Sequence, residues 1–310
     1  MIFTTTLNQM AFLFSLIVLG YILVKMNFVP ENTELVLSRL ENFMFLPALV
    51  LGNFITNFTL DKLMDYSSII IASIIIEIIF IGLSLIIVRF CTKDKYIRNI
   101  YLYGLAFSNF GFMGNAVVSA LFPEYFAEYI IFTMVLWVGI YLWGVPSLLM
   151  GDSETRPTFK ENIKKLLNPM FVCMIIGMVI GLCNIKLPSF VGNLVDSLGA
   201  CMSPVAMILT GMTVARSNFK EIISYKSVYV ITLVRLIIFP LIFIGLSYFI
   251  PEQYDTVVIC GMCAVSMPLG LSTIVVPAAY GKDTRVASGM ALVSHALACI
   301  TIPIMFSILW

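Results

Sequence analysis

The sequence predicts an all-α membrane protein of ten transmembrane helices, built as a 5+5 inverted repeat in which helices 4 and 9 are broken and cross. Three observations carry that prediction. The 310 residues are 60% hydrophobic and 11% charged, with a mean hydropathy of +1.02, which excludes an ordinary soluble domain. The apolar residues fall into ten runs with short polar breaks between them. Two of those runs are interrupted at their middles by glycine, proline and small polar residues, at places 157 residues apart.

In chain order the runs cover about 6–25, 35–58, 66–90, 98–122, 126–150, 168–185, 189–215, 225–250, 254–280 and 284–309. A spanning helix needs about 20 apolar residues, whereas a tilted barrel strand needs about 10. The runs are too long for strands and lack a two-residue alternation, so helices follow. The first run is preceded by Met1–Thr6 with no Lys or Arg. It therefore reads as a first span rather than a cleavable signal, which carries a basic leader.

Charge placement orients the chain. The 1–2, 3–4, 5–6, 7–8 and 9–10 connections, with their helix ends, hold 15 of the 18 basic residues, from Lys25 and Arg39 through Lys282 and Arg285. The opposite face holds only Lys62 and Lys186, and Arg235 lies inside a helix. Basic loops stay in the cytoplasm, so both termini are expected outside a multi-pass cell membrane protein. Five helices per half is an odd number, so the second half must enter the bilayer in the opposite sense to the first. The offset of 157 also carries Gly20 onto Gly177, Pro47 onto Pro204 and Pro146 onto Pro303. The expected division is a first repeat at 1–150, a polar cytoplasmic linker at 151–167 and a second repeat at 168–310.

Helix 4 reads Phe107-Ser108-Asn109-Phe110-Gly111-Phe112-Met113-Gly114-Asn115, and helix 9 reads Ala264-Val265-Ser266-Met267-Pro268-Leu269-Gly270-Leu271-Ser272-Thr273. Broken backbone inside a bilayer is tolerated only where protein buries it or a watery cavity meets it. Gly111 and Gly114 are expected to let helix 4 unwind, and Pro268 to open the first turn of a restarting helix. Each restarting half-helix then directs free N–H groups and the positive end of its dipole at the break, which favours an anion. Asn109, Asn115, Ser266, Ser272 and Thr273 add neutral hydrogen-bonding groups, and Gly270 completes the candidate substrate-binding set. A pair of broken helices at matching places points to the substrate site of a secondary transporter.

Three ionisable residues lie deep in predicted spans: Glu77, Arg235 and His295. Such groups face a cavity or a partner. For Arg235 and Glu77 two readings stand. Arg235 holds a substrate carboxylate while Glu77 senses protons or gates, or the two neutralise each other, with Arg235 also able to reach carbonyls at a break in its own helix. His295 is either a proton relay or a side chain satisfied by a neighbouring carbonyl. The seven cysteines lie in or beside apolar runs, so Cys260 and Cys263 read as packing rather than a redox pair. One histidine and scattered acids give no metal site, and no motif of a metalloprotease, hydrolase or phosphate loop occurs. No enzyme activity and no cofactor are therefore expected.

In order along the chain, Leu46-Pro47-Ala48, Asn109-Phe110-Gly111-Phe112-Met113-Gly114, Met267-Pro268, Ala279-Tyr280-Gly281-Lys282-Asp283 and Thr301-Ile302-Pro303 resemble the auxin efflux carrier family. That family comprises bacterial relatives of plant auxin exporters and of malonate and malate permeases. The resemblance spans Met1 to Trp310. It implies ten helices, a scaffold and a transport body, and helices 4 and 9 crossing around an organic-anion site. This chain departs from the pattern at Ala116, Ser272 and His295. The expected function is efflux or exchange of a small organic anion, a carboxylate, by alternating access, with a scaffold of helices 1, 2, 6 and 7. The alternatives are a sodium- or proton-coupled symporter of the bile-acid type, a membrane ligand sensor, or a channel. The expected partners are the anion, the bilayer, H+ or Na+ as a coupling ion and a second copy in a homodimer; no nucleic acid is expected.

Overall fold

A computed structural model describes residues 2–150, 167–216 and 225–309. Among them the regular structure is helical. In order come α1 (Ile2–Lys25), α2 (Thr33–Asn57), α3 (Ser67–Cys91), α4a (Lys95–Ala106) and α4b (Phe110–Leu121), then α5 (Pro123–Leu149) and α6 (Pro169–Leu182). The chain continues through α7 (Ser189–Arg216), α8 (Lys226–Ser247), α9a (Asp255–Ser266), α9b (Ser272–Ala279) and α10 (Arg285–Leu309). Seven helices, α1, α2, α3, α5, α7, α8 and α10, are long and apolar enough to cross a membrane. The two broken helices and α6 fall short of that length. α6 ends at Leu182, short of the expected 185, where Asn184 adopts a left-handed φ of 49°. The expected linker lies outside the described residues over 151–166, with its four basic residues, as does Lys220.

Local chemistry explains the starts and irregularities. The Asp94 side chain caps α4a by accepting from Ile97 N at 2.9 Å, and Asn168 caps α6 through Phe171 N at 3.0 Å, ahead of Pro169 in the first turn. Three helices widen into π-turns around or just before a proline: α2 at Glu41–Phe45 before Pro47, α5 at Ile140–Leu149 around Pro146, and α8 at Val234–Ile238 before Pro240. Proline cannot donate to the preceding turn and its ring crowds the carbonyl four residues back, and a wider turn relieves both.

Glycines set how closely the helices approach. α1 lies along α7, where a Cβ on Gly20 would sit 2.0 Å from Ile208 O and one on Gly211 only 1.9 Å from Ile17 O. α2 lies along α6, where a Cβ on Gly177 would sit 3.0 Å from Leu51 O. α10 packs against α1, and α3 packs against α4a and α5. α3 shows how the sequence sorts its faces. Ile71, Ile74, Ile75 and Ile78 are exposed, as a lipid-facing stripe requires, while Ser73, Glu77 and Phe80 turn inward.

Candidate functional site

The two breaks meet. α4a stops at Ala106, and Phe107 continues in extended conformation (φ −111°, ψ 105°). α9a stops at Ser266, and Met267 is extended (φ −66°, ψ 149°), as a residue before proline must be. The extended pieces pair as a minimal antiparallel bridge between Ser108 and Leu269, with Asn109 N donating to Pro268 O at 2.8 Å. Main chain freed from one helix is thus satisfied by main chain freed from the other. Gly270 permits this contact, since a Cβ there would lie 2.6 Å from Phe107 O.

Two expectations about the breaks need correction. Pro268 does not open the restarting helix; α9b begins at Ser272, and Pro268 lies in the extended piece as a hydrogen-bond acceptor. Nor does helix 4 open at its glycines. It opens at residues 107–109, and Phe110–Gly114 already winds as a π-turn. Gly111 and Gly114 instead make room for α5, because added Cβ atoms would strike the Trp137 ring at 2.5 Å and the Tyr129 hydroxyl at 2.1 Å. The Tyr129 hydroxyl in turn donates to Phe110 O at 3.1 Å.

Arg235 enters from the π-turn of α8 and serves both broken helices. Its Nη1 donates to Leu105 O at 2.9 Å, its Nη2 to Ala264 O at 3.1 Å and its Nε to Met267 O at 3.1 Å. Ser108 Oγ also donates to Ala264 O, at 2.7 Å. Leu105 and Ala264 lie in the last turns of α4a and α9a and Met267 follows α9a in the break, so none of these carbonyls belongs to the helix of Arg235 itself. The guanidinium therefore sits at the negative ends of two half-helices. Glu77 and Arg235 line one small cavity of about 10 Å³ with Ser108 and Ala264, and Glu77 Oε1 is buried without a hydrogen-bond partner. That volume suits a single water.

The positive ends converge on a second void. Ser108, Phe110, Gly111 and Phe112 from one break and Gly270, Leu271 and Ser272 from the other line a cavity of about 10 Å³, closed by Tyr103, Trp137 and Ile140. The residues that open α4b and α9b thus line one void. Thr273 is occupied in its own first turn, with Oγ1 donating to Gly270 O at 2.8 Å. Asn109 is buried (1% exposed), and its Nδ2 lies 2.8 Å from His295 Nε2. His295 Nδ1 lies 2.8 Å from Ala291 O, a bond that places the proton on Nδ1 and leaves Nε2 to accept from Asn109. Asn109 Oδ1, Asn115 Oδ1 and Ser266 Oγ are buried acceptors without partners.

A cleft of about 510 Å³ runs between α2, α5 and α7 on the side that bears the 2–3, 4–5 and 6–7 connections. Its wall includes Asn53, Thr56, Asn57, Lys62 and Asp196, and its deeper end Ala48, Gly199 and Ala200. One turn beyond that end, Ser203 Oγ donates to Phe112 O in the π-turn of α4b, so the cleft leads toward the crossing. On the other side α9b packs against α2, and Phe43 meets Tyr280 with ring centroids 6.3 Å apart. A cleft thus approaches the crossing from one side, and α9b with Tyr280 packs on α2 at the other. Sequence reasoning did not find the cleft residues or the role of Ser108. Glu41, buried in α2 with both carboxylate oxygens unpartnered, was also missed, although an acid inside a predicted span was the signal to look for.

No curated protein matches the chain. A family model described as membrane transport protein matches residues 5–306. With nearly the whole chain matched and the broken helices in contact, the protein belongs to the membrane transport protein family, that of the auxin efflux carriers.

Proposed function

We propose that this membrane transporter is a secondary carrier of a small organic anion, a carboxylate, working by alternating access around the crossing of α4 and α9. The observation that carries the reading is the charge arrangement at the crossing. Each half-helix end carries about half a unit of charge, negative at α4a and α9a and positive at α4b and α9b. Arg235 offsets the two negative ends, so the two positive ends are left with about one unit for a guest of opposite sign. Glu77, beside Arg235, decides whether that unit is kept: neutral, it leaves the field intact, and ionised, it cancels the field.

An inverted repeat of residues 1–150 and 168–310 supports the alternation. The Gly20–Ile208 contact of α1 with α7 and the Gly177–Leu51 contact of α6 with α2 are the same contact under the offset of 157, with the two halves exchanged. Helices 1, 2, 6 and 7 then form the scaffold, and the crossing helices with their neighbours form the moving body. The excess of basic residues on the odd-numbered connections puts the open cleft outside, in a cell membrane protein with both termini outside. An inside-negative potential drives anion exit at about 2.3 kcal/mol per charge per 100 mV, so efflux needs no coupling ion.

One observation favours a second reading, a sodium-coupled symporter of the bile-acid type: the unpartnered oxygens of Asn109, Asn115 and Ser266 are suitable ligands for a hard cation. Flux that vanishes when sodium is replaced selects it. The primary test is a thermal-shift screen against small carboxylates, followed by counterflow of the best stabiliser in proteoliposomes. Saturable counterflow, lost in Asn109→Ala, is expected. Flux that does not saturate would make the protein a channel, and binding without flux would make it a sensor.

A further inference from the structure

We propose that Glu41 is a proton-binding site at the cytoplasmic gate, neutral while the gate is shut and ionised once it opens; this rests on the alternating-access reading above. Glu41 opens the π-turn of α2 inside a membrane-spanning segment and is 0% exposed. Both of its carboxylate oxygens, and both side-chain polar atoms of the adjacent Asn42, are buried without a hydrogen-bond partner. The turn packs against α6, α7, α9b and its own helix. The titratable and charged groups on those elements are Glu34, Arg39, Cys173, Asp196, Cys201 and Arg216; α9b carries none, and Tyr280 follows it. Arg216 is bonded to Glu34 and to Pro30 O, Asp196 lines the outer cleft, and Arg39 and Cys201 are exposed. None of them forms an ion pair or hydrogen bond with Glu41 among the described residues.

An ionised carboxylate with no partner in such a place costs several kcal/mol, so Glu41 is held as the neutral acid. A proton suits the site better than a metal ion. Glu41 and Asn42 are successive residues, and successive side chains on a helix project about 100° apart, so their oxygens do not converge on one ion.

The repeat explains why unsatisfied polar groups are kept here. The outer cleft is walled on α7 by Val195, Asp196 and Gly199; subtracting 157 gives Ser38, Arg39 and Asn42. In an inverted repeat, exchanging the conformations of the two halves turns the outer cleft into an inner one. Ser38 and Asn42, both 0% exposed now, then become its wall, and Glu41, whose counterpart Leu198 is half-buried beside the outer wall, loses its complete burial. Opening ionises Glu41, and shutting the gate requires that it take up a proton from the cytoplasm. An acid cytoplasm therefore favours the shut gate.

The test places a reporter, Ser38→Cys, in the full-length chain, with and without Glu41→Gln. A membrane-impermeant thiol reagent is applied to the cytoplasmic face of inside-out vesicles. The seven native cysteines of the parent chain supply the background to subtract. Taking the ratio of the two labelling rates removes the reagent's own pH dependence. That ratio is expected to rise with pH, by up to about tenfold per unit for one linked proton. Glu41→Leu serves as the neutral variant where the Gln form does not fold. A flat ratio with both proteins labelled overturns the gate proposal and leaves carriage standing. No labelling at residue 38 at any pH, while Asn53→Cys labels from outside, overturns the alternation itself.

Discussion

Removing Arg235 should loosen both broken helices at once. Its guanidinium satisfies three buried carbonyls, those of Leu105, Ala264 and Met267. Arg235→Met leaves the Leu105 and Met267 carbonyls without that donor, while Ala264 O keeps the Ser108 hydroxyl, and an orphaned buried group costs about 1–3 kcal/mol. The small cavity beside Arg235 admits at most one water, so rescue is partial and the total is about 3–5 kcal/mol. At about 2–4 °C per kcal/mol, the melting temperature of the detergent-purified protein should fall by about 10 °C. Arg235→Lys keeps the charge, but one nitrogen cannot reach carbonyls spread over two helices, so it should recover about half of the loss. An Arg235→Met protein melting within about 2 °C of the parent would refute the idea that this side chain joins the two helix ends.

Gly270→Ala places a methyl group 2.6 Å from Phe107 O and should cost about 1–3 kcal/mol with a matching loss of folded yield; Gly245→Ala, with open space around it, is the neutral control. Asn109→Ala should abolish most transport and leave a protein that still folds, destabilised by about 1–3 kcal/mol because His295 Nε2 loses its donor; full flux would remove Asn109 from the site. Glu77→Gln should retain anion transport in the efflux direction, since a neutral residue 77 leaves the field at the crossing intact; lost flux with unchanged folding would assign Glu77 a charged role. On the 9–10 connection, hydrogen bonds from Arg285 hold the Asp283 carboxyl below the usual carboxylate range. A lowered value means that its contribution is present at neutral pH and is lost as acid brings the pH down through that value. The pair is exposed, so Asp283→Asn should change the melting temperature at neutral pH by no more than about 1 kcal/mol allows.

The spans were legible because the bilayer demands them. Apolar runs of the right length, broken by charged connections, gave the seven helices long enough to cross a membrane to within a few residues, and the breaks in helices 4 and 9 showed as clusters of Gly, Pro, Asn and Ser. What those residues do there was less legible. Gly111 and Gly114 looked like points of flexure but serve the Trp137 and Tyr129 side chains of another helix, a partner that no local pattern reveals. Arg235 read equally as a substrate ligand, a partner of Glu77 or a donor to carbonyls in its own helix; the carbonyls it holds lie 29 to 130 residues away on other elements, so only the folded chain can show them. His295 was weighed as bound by a nearby carbonyl, and Ala291 O provides it, yet its second bond, to Asn109, crosses 186 residues. Glu41 went unnoticed although it lies inside the second run, because it stands only six residues from that run's start, where an acid reads as part of the polar connection.

A map of the protein bound to the carboxylate that most raises its melting temperature tests the central claim most directly. The account predicts density for the anion against the opening amides of Phe110–Phe112 and Leu271–Ser272, with Arg235 still on its three carbonyls. Density confined to the outer cleft beside Lys62, or a guanidinium that has left the helix ends to grip the ligand, would contradict it.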